Sequence, residues 1–144
     1  MTQPQLIFVN LPVADLARSI RFYEAIGFTQ DPRFSDSTAA GMRLSDTIHV
    51  MLLTHGKFGG FTSRPIADAR TSAQVLLCIS RADRAAVDAM AEAAAAAGGE
   101  KDHAPAQEHG FMYARSFADP DGHIWGPMWM DVAAATAAMA GQAA

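Results

Sequence analysis

The amino-acid sequence predicts an α+β fold built from two copies of a strand-helix-three-strand (βαβββ) module. Helical and strand-like hydrophobic periods alternate along the chain, and the second half repeats the order of the first. Near the end, residues 119–130 form a Pro-Asp-Gly turn that leads into an aromatic-rich strand. We expect a single domain over residues 1–131, with modules at about 5–62 and 73–131, followed by an alanine-rich tail at 132–144.

Composition and charge exclude several classes of protein. The chain has 144 residues, a net charge of −4 and a pI near 5.6, so it lacks the basic surface that nucleic-acid binding requires. Its single cysteine, Cys78, lies in an apolar run and is predicted to be a small buried side chain. The N-terminus has no signal-peptide pattern, and no apolar run is long enough to span a bilayer. We therefore expect a soluble, cytoplasmic protein without nucleic-acid or membrane partners.

The first module begins with an apolar strand at residues 6–11 that Pro12 is expected to end. Asp15 is placed to cap a helix over residues 16–26, because a carboxylate can accept hydrogen bonds from the free amides of a first turn. Gly27 is positioned to end that helix in a left-handed conformation. Three strand-like segments follow, at residues 28–33, 39–44 and 47–54.

A connection rich in glycine, at residues 55–70, separates the two modules and can carry one helical turn. It contains His55, Phe58 and Phe61, which are either a mobile lid or the anchors of a structureless loop.

The second module repeats this plan. After a strand at residues 74–80, Ser80 and Asp83 form a capping box for a helix over residues 81–97 that stops at Gly98. Strands are expected at residues 100–103, 110–117 and 123–130. The tail can form a short helix, but an isolated helix of this length is marginal in water, so we expect it to be frayed.

Two motifs and the module repeat together resemble one superfamily. The segment NLPVADLARSIRFY at residues 10–23, which leads to Gly27 and Phe28, and the closing DPDGHIW at residues 119–125 are similar to the vicinal oxygen chelate superfamily. That superfamily includes glyoxalase I, bleomycin-resistance proteins and extradiol dioxygenases. The resemblance covers residues 5–131 and implies a glyoxalase/bleomycin-resistance/dioxygenase-like pair of half-barrels. One fold hosts many chemistries, so it is less informative about activity.

The resemblance also implies where a metal would bind. Metal-using members hold a divalent ion with His, Glu or Gln side chains from the first and last strands of both modules. The corresponding positions here are Phe8, Leu52, Gln74 and Gly126, of which only Gln74 has a donor atom. We therefore expect no metal site and no cofactor. A shifted alignment would nominate one of three other residues instead, namely Asn10, His49 or His123.

If these side chains point inward, Phe8, Leu52 and Gly126 make an apolar pocket floor, with Asn10 and Gln74 as isolated hydrogen-bonding groups. The alternative is that they fill a closed core and leave no cavity.

A second candidate cluster lies near the penultimate strand. Tyr113 and Arg115 share one strand face and could bind an anionic or carbonyl-bearing ligand, and His109 could act as an acid or base. The alternative for Arg115 is a local ion pair with Asp119 or Asp121.

The closing strand is apolar on both faces, because Trp125 and Trp129 alternate with other large apolar side chains. Core packing is the default reading of such a strand, and a dimer interface is the alternative. Members of the superfamily often form their cavity between two chains, so the resemblance implies a homodimer.

These observations favour a glyoxalase/bleomycin-resistance-like protein that binds a small amphiphilic or aromatic molecule without a catalytic metal. It would sequester its ligand or process it by acid and base groups alone. The competing hypothesis is a metal-dependent lyase of the lactoylglutathione lyase (glyoxalase I) type. A third is a dimer with a filled core and no ligand.

Overall fold

In the computed structural model, which describes residues 3–143, strands and helices alternate in the predicted order, and the α+β class is confirmed. The first half contains β1 (Ile7–Val13), α1 (Leu16–Ala25), β2 (Thr29–Asp31), a 3-10 turn (Pro32–Phe34), β3 (Ala39–Arg43), β4 (Ile48–Thr54) and α2 (His55–Gly59). The second half contains β5 (Leu76–Ser80), α3 (Arg84–Ala96), β6 (Glu100–Lys101), β7 (Gln107–Glu108), β8 (Met112–Ala114), β9 (Phe117–Ala118), β10 (Ile124–Met130) and α4 (Val132–Ala143). None of the helices within residues 3–143 is both long and apolar enough to cross a membrane.

The chain divides into two units, each with its own sheet. One unit contains the described residues up to Ser72 together with Pro120–His123. The other contains Ala73–Asp119 and the described residues from Ile124 onward.

The sheet of the first unit has the strand order β1-β4-β3-β2, in which β1 and β4 are parallel and the other pairs are antiparallel. Helix α1 packs on one face of this sheet. The core between them is formed by side chains that alternate along the strands and recur on one side of the helix: Leu11, Val13, Met42, Val50, Leu52, Phe22, Tyr23 and Ile26.

The ends of α1 match the sequence prediction. The side chain of Asp15 accepts a hydrogen bond from the Arg18 amide at 3.1 Å, and Gly27 has a φ of +114°. Strand β1, however, does not end at Pro12 but continues to Val13. Because β1 is an edge strand, the missing N–H of Pro12 does not interrupt the sheet.

In the second unit, β10 is the central strand, paired with β5 in parallel and with β8 and β9 antiparallel. The single strand predicted for residues 110–117 is divided into β8 and β9. The Arg115 amide donates to the Pro127 carbonyl at 3.1 Å, but Pro127 has no N–H to return a second bond. Trp125 is 1% exposed and stacks on Phe117, which confirms its place in the core.

Helix α3 begins later than predicted, because Asp83 rather than Ser80 is its capping residue. The Asp83 side chain accepts a hydrogen bond from the Ala86 amide at 2.8 Å. Helix α4 corrects the expectation of a frayed tail. The Asp131 side chain accepts from the Ala134 amide, and Ala135 is buried, so capping and packing stabilise an otherwise marginal helix.

The Pro-Asp-Gly turn joins three parts of the first unit. The Asp121 carboxylate, which is almost fully buried, accepts hydrogen bonds from the Ala14 amide at 2.9 Å and the Ser19 hydroxyl at 3.3 Å. The Arg70 guanidinium donates to the Pro120 carbonyl at 2.6 Å. The two sequence motifs that carry the family resemblance therefore meet in space.

Gly122 allows the turn to lie directly against the backbone of residues 69–70. Its φ is +96°, and a Cβ atom there would lie 2.8 Å from the Arg70 nitrogen and 2.9 Å from the Ala69 carbonyl. The turn therefore requires glycine for its conformation and for the space beside the backbone of residues 69–70.

Replacing Gly122 by alanine should lower the free energy of unfolding by about 2–3 kcal/mol, because positive φ and a backbone clash act together. Gly27→Ala is the matched control: its φ of +114° is similarly unfavourable, but its Cβ would meet nothing within 4 Å. That variant should cost only about 1 kcal/mol. Urea denaturation measures both, and equal losses would show that the contact with residues 69–70 does not constrain the turn.

Candidate functional site

One face of the first sheet is not covered by α1 and carries an aromatic cluster. In the parallel pair, Phe8 lies beside His49 and Asn10 beside Met51, so these four side chains share a face. Phe8 is 44% exposed, and its ring stacks on His49 with centroids 4.7 Å apart. We call Phe8, Asn10, Phe34, His49 and Met51 the first open face.

Phe34 reaches this face from the 3-10 turn. Its ring meets the Phe8 ring edge-on, with centroids 6.5 Å apart. A Cβ atom at Gly41 would lie 2.9 Å from the Phe34 Cβ, so glycine at this position lets the aromatic residue lie directly over the strand. Phe34 can therefore join the cluster because Gly41 has no side chain.

Leu52 is not part of this face, and the expectation that it shares a pocket floor with Phe8 is wrong. It is 0% exposed and lies beside Leu11, whose side chain is also buried. Leu52 is three residues from His49, the partner of Phe8, and strand alternation sends residues at that spacing to opposite faces.

The second sheet also has an uncovered face. Gly126 lies beside Cys78 and Ile124 beside Leu76, and Leu76 is 65% exposed. A Cβ atom at Gly126 would lie only 3.2 Å from the Cys78 sulfur, so glycine makes room for the thiol. We call Leu76, Cys78, Ile124, Gly126 and Met128 the second open face.

Two predictions about this sheet need correction. Cys78 is exposed rather than buried, because alternation along β5 places it opposite the buried Ile79. Gln74 is exposed and lies outside β5, which begins at Leu76, so strand alternation does not place its amide on the open face.

Tyr113 and Arg115 share a face as predicted, but it is the face that α3 covers. The Tyr113 hydroxyl donates to the Asp88 carboxylate at 2.6 Å. The Arg115 guanidinium donates to Asp88, Glu92 and Asp102 at 2.8–3.1 Å. Arg115 is therefore ion-paired, but its partners are Asp88, Glu92 and Asp102 and not the nearby Asp119 or Asp121 that the sequence suggested.

His109 is not brought to this pair. It is exposed in the turn between β7 and β8, where its ring stacks on Phe111 with centroids 6.2 Å apart. Its backbone amide donates to the Met112 carbonyl at 2.9 Å. The three members of the predicted cluster thus occupy two different environments.

The network around Arg115 shifts several pKa values. Its hydrogen bonds lower the pKa of Asp102. The pKa of Asp88 is lowered first by the Tyr113 hydroxyl and then by Arg115, and the same bond raises the pKa of Tyr113. Lys101 and then Arg115 lower the pKa of Glu92. All three carboxylates therefore stay ionised to lower pH in the folded state.

Replacing Arg115 by glutamine should lower the free energy of unfolding by about 1–2 kcal/mol at pH 7, because three partly exposed carboxylates lose their shared cation. A carboxylate whose pKa is lower in the folded than in the unfolded state stabilises the protein at pH values above its unfolded-state pKa. This stabilisation is lost as the pH falls through the lowered folded-state pKa. The difference between the variant and the original protein should therefore shrink below about pH 5.

Urea denaturation across this pH range tests the effect. Arg43→Gln is the control, since Arg43 pairs with the exposed Asp46, and its removal should change stability by less than about 0.5 kcal/mol. A deficit for Arg115→Gln that does not change with pH would contradict the electrostatic account.

The positions where the resemblance implies metal ligands do not suit a divalent ion. Phe8, Leu52 and Gly126 have no side-chain donor, and Leu52 faces the core. Among residues 3–143, no group of three or more His, Cys, Asp or Glu side chains is arranged to hold a metal.

The two histidines that a shifted alignment would nominate each lie beside a backbone carbonyl oxygen. Asn10 and His49 lie on the first open face, where His49 Nε2 is 3.2 Å from the Asp46 carbonyl oxygen. His123 Nε2 lies 2.8 Å from the Pro12 carbonyl oxygen, which can only accept, so this nitrogen carries the proton.

Comparison with known proteins identifies the fold. A family profile described as "Bleomycin resistance protein-like N-terminal" matches residues 5–44, which span the first motif. No curated protein matches the chain. Among solved structures, a hypothetical protein from S. aureus, SA1046, has a TM-score of 0.73 at 22% identity and covers 89% of this chain and 95% of its own.

Two further structures carry family names. A glyoxalase/bleomycin resistance protein/dioxygenase family enzyme from Burkholderia phytofirmans has a TM-score of 0.70 at 19% identity, with 88% of this chain and 99% of its own covered. The bleomycin resistance determinant encoded on the transposon Tn5 has a TM-score of 0.62 at 17% identity, with 89% and 99% covered.

The fold is the one shared by glyoxalase, bleomycin resistance protein and dioxygenase structures. The fold that the two sequence motifs implied is therefore confirmed. Within this fold, sequence reasoning missed Phe34 and Cys78 on the open faces. Once the pairing of β5 with β10 is known, Cys78 follows from its position beside Gly126, whereas Phe34 depends on a turn with no such signal.

Proposed function

We propose that this protein binds a small, planar aromatic or amphiphilic molecule against its first open face, without the metal used by catalytic members of the superfamily. The observation that carries the proposal is the aromatic cluster of the first open face, where Phe8 and Phe34 are both about half exposed. Exposed apolar groups gathered on one surface are typical of a binding site.

The chemistry of the cluster favours a flat ligand. Phe8 and His49 are already stacked, so the Phe8 ring offers its exposed surface to a further ring. Asn10, exposed on the same face, supplies an amide that can hydrogen-bond to a polar substituent. An apolar surface with one or two fixed polar groups is the usual composition of a small-molecule site.

Sequestration is the activity that fits these residues best. The Tn5 protein with the same fold is a bleomycin resistance determinant. The alternative, a glyoxalase-type lyase, needs a metal to stabilise an enediolate, and the side chains at Phe8 and Gly126 offer no ligand for one.

Calorimetric titration with 1-naphthol, a planar probe with one hydroxyl, tests the proposal. Phe8→Ala should weaken binding about tenfold, or about 1.4 kcal/mol, because it removes the stacking surface. Phe61→Ala is the matched control, since Phe61 is a 69% exposed phenylalanine of the same unit outside the open face, and it should leave binding unchanged. Cyclohexanol, which cannot stack, should bind more weakly than 1-naphthol.

Three results would contradict the proposal. Equal effects of Phe8→Ala and Phe61→Ala would show that the open face is not the site. The lyase would be favoured if protein purified without chelator contained stoichiometric zinc, nickel or iron, and if mutation of side-chain ligands removed that metal. If none of the aromatic compounds tested raises the melting temperature, a protein without a ligand is favoured. A compound that binds only the folded state must stabilise that state and raise its melting temperature.

We also propose that the protein is a homodimer. The support is the second open face with its neighbour Val75, where Leu76 and Val75 are more than half exposed. Sedimentation equilibrium tests this assembly, and a monomer at every concentration would contradict it.

A further inference from the structure

Strand β1 lies at the edge of the first sheet, so alternate residues direct their backbone groups away from the sheet. The Ile7 amide donates to the carbonyl of Thr47, just before β4, at 2.9 Å. In a parallel pair every second residue of a strand bonds to the same neighbour. The backbone N–H and C=O groups of the intervening residues therefore point outward, and these residues are Phe8, Asn10 and Pro12.

The two halves of this outer edge differ in their protection. Pro12 has no N–H, and its carbonyl oxygen lies 2.8 Å from His123 Nε2, so the carboxyl half cannot pair with another strand. Within residues 3–143, no hydrogen bond reaches the outward N–H or C=O of Phe8 or Asn10, and both residues are exposed. The amino half thus presents unpaired donors and acceptors with the spacing of a strand.

The side chains of this half are apolar and uncovered on both faces of the strand. Leu6 and Phe8 are each 44% exposed, and Ile7, which alternates with them, is 55% exposed. An exposed apolar edge is a template on which an extended chain can add as a further strand. In such complexes the main-chain hydrogen bonds supply affinity, and the alternate side chains supply specificity.

Phe8 determines which side chain fits beside it. On the β4 side its ring stacks on His49 with centroids 4.7 Å apart. Neighbouring strands of a sheet are about 4.7–4.9 Å apart, so a residue added on the other side of β1 would lie beside Phe8 at a similar distance. An aromatic side chain at that point would extend the row of stacked rings, and cross-strand aromatic pairs stabilise sheets.

We propose that the ligand of the first open face is a short extended peptide with an aromatic residue, which pairs with the free edge of β1. The peptide runs antiparallel to β1. Its aromatic residue exchanges a pair of hydrogen bonds with Phe8, and the residue two positions earlier exchanges a pair with Asn10. Pro12 prevents the pairing from extending further. This inference rests on the proposed function, because it names the ligand class of the same surface.

The experiment is an NMR titration of ¹⁵N-labelled protein with the blocked peptide acetyl-Thr-Val-Phe-methylamide. The amides of Phe8 and Asn10 should shift downfield in a saturable way and exchange with solvent more slowly, because they gain acceptors. The Val9 amide, which already faces β4, should keep its exchange rate. Methylating the phenylalanine nitrogen of the peptide removes the donor to the Phe8 carbonyl and should raise the dissociation constant at least about tenfold.

A pair of variants at Asn10 isolates the backbone contact. Asn10→Pro removes an outward N–H but no bond to β4, and Pro12 shows that β1 accepts proline at an outward position. Asn10→Ala is the matched control, since it lacks the same side chain and keeps the N–H. Peptide affinity should be at least about fivefold lower in Asn10→Pro than in Asn10→Ala. The two variants should bind 1-naphthol equally, which also establishes that both are folded.

Four results would overturn the inference. Three are an absence of change at the Phe8 and Asn10 amides, equal affinity for the methylated peptide, and equal peptide affinity in the two Asn10 variants. The fourth is protection of these amides in the free protein that rises with protein concentration, since a second copy of the chain would then occupy the edge. If 1-naphthol binds through Phe8 and the peptide does not bind, this inference fails and the proposed function stands.

Discussion

The buried Asp121 carboxylate is the interaction on which the arrangement of the first unit depends. It accepts hydrogen bonds from the Ala14 amide, just before α1, and from the Ser19 hydroxyl, inside α1. A buried carboxylate is tolerated only when donors such as these form hydrogen bonds to it. A buried donor left without its hydrogen bond would in turn lower the stability of the fold. This one side chain thus explains why the chain carries both an Asp-Pro-Asp-Gly turn and a serine on the covered side of its first helix.

The turn also determines where uncovered surface remains. With α1 held against one side of the first sheet, Leu11 and Leu52 are enclosed, while Phe8 and His49 lie on the opposite side of the sheet. In the second unit the Arg115 network joins the sheet to α3 and leaves Gly126 and Cys78 on the uncovered side. Both open faces therefore result from the same alternation that builds the cores.

The sequence was sufficient for the fold, for Phe8 and Asn10 on the first open face and for Gly126 on the second. Hydrophobic period, Asp15 and Gly27 defined α1, and the two motifs indicated the superfamily. Leu52 was misplaced because counting along one strand does not reveal which face its pairing partner takes. The partners of Arg115 are distant in sequence, and Phe34 reaches its neighbours only because Gly41 has no side chain, so neither contact has a local signal.

A double-mutant cycle between Ser19→Ala and Asp121→Ala measures the central interaction directly. If the carboxylate joins the turn to α1, the two losses of unfolding free energy should be non-additive, with a coupling of at least about 0.5 kcal/mol. Losses that add within about 0.3 kcal/mol would contradict the account, because they would mean that the turn and the helix are stabilised independently.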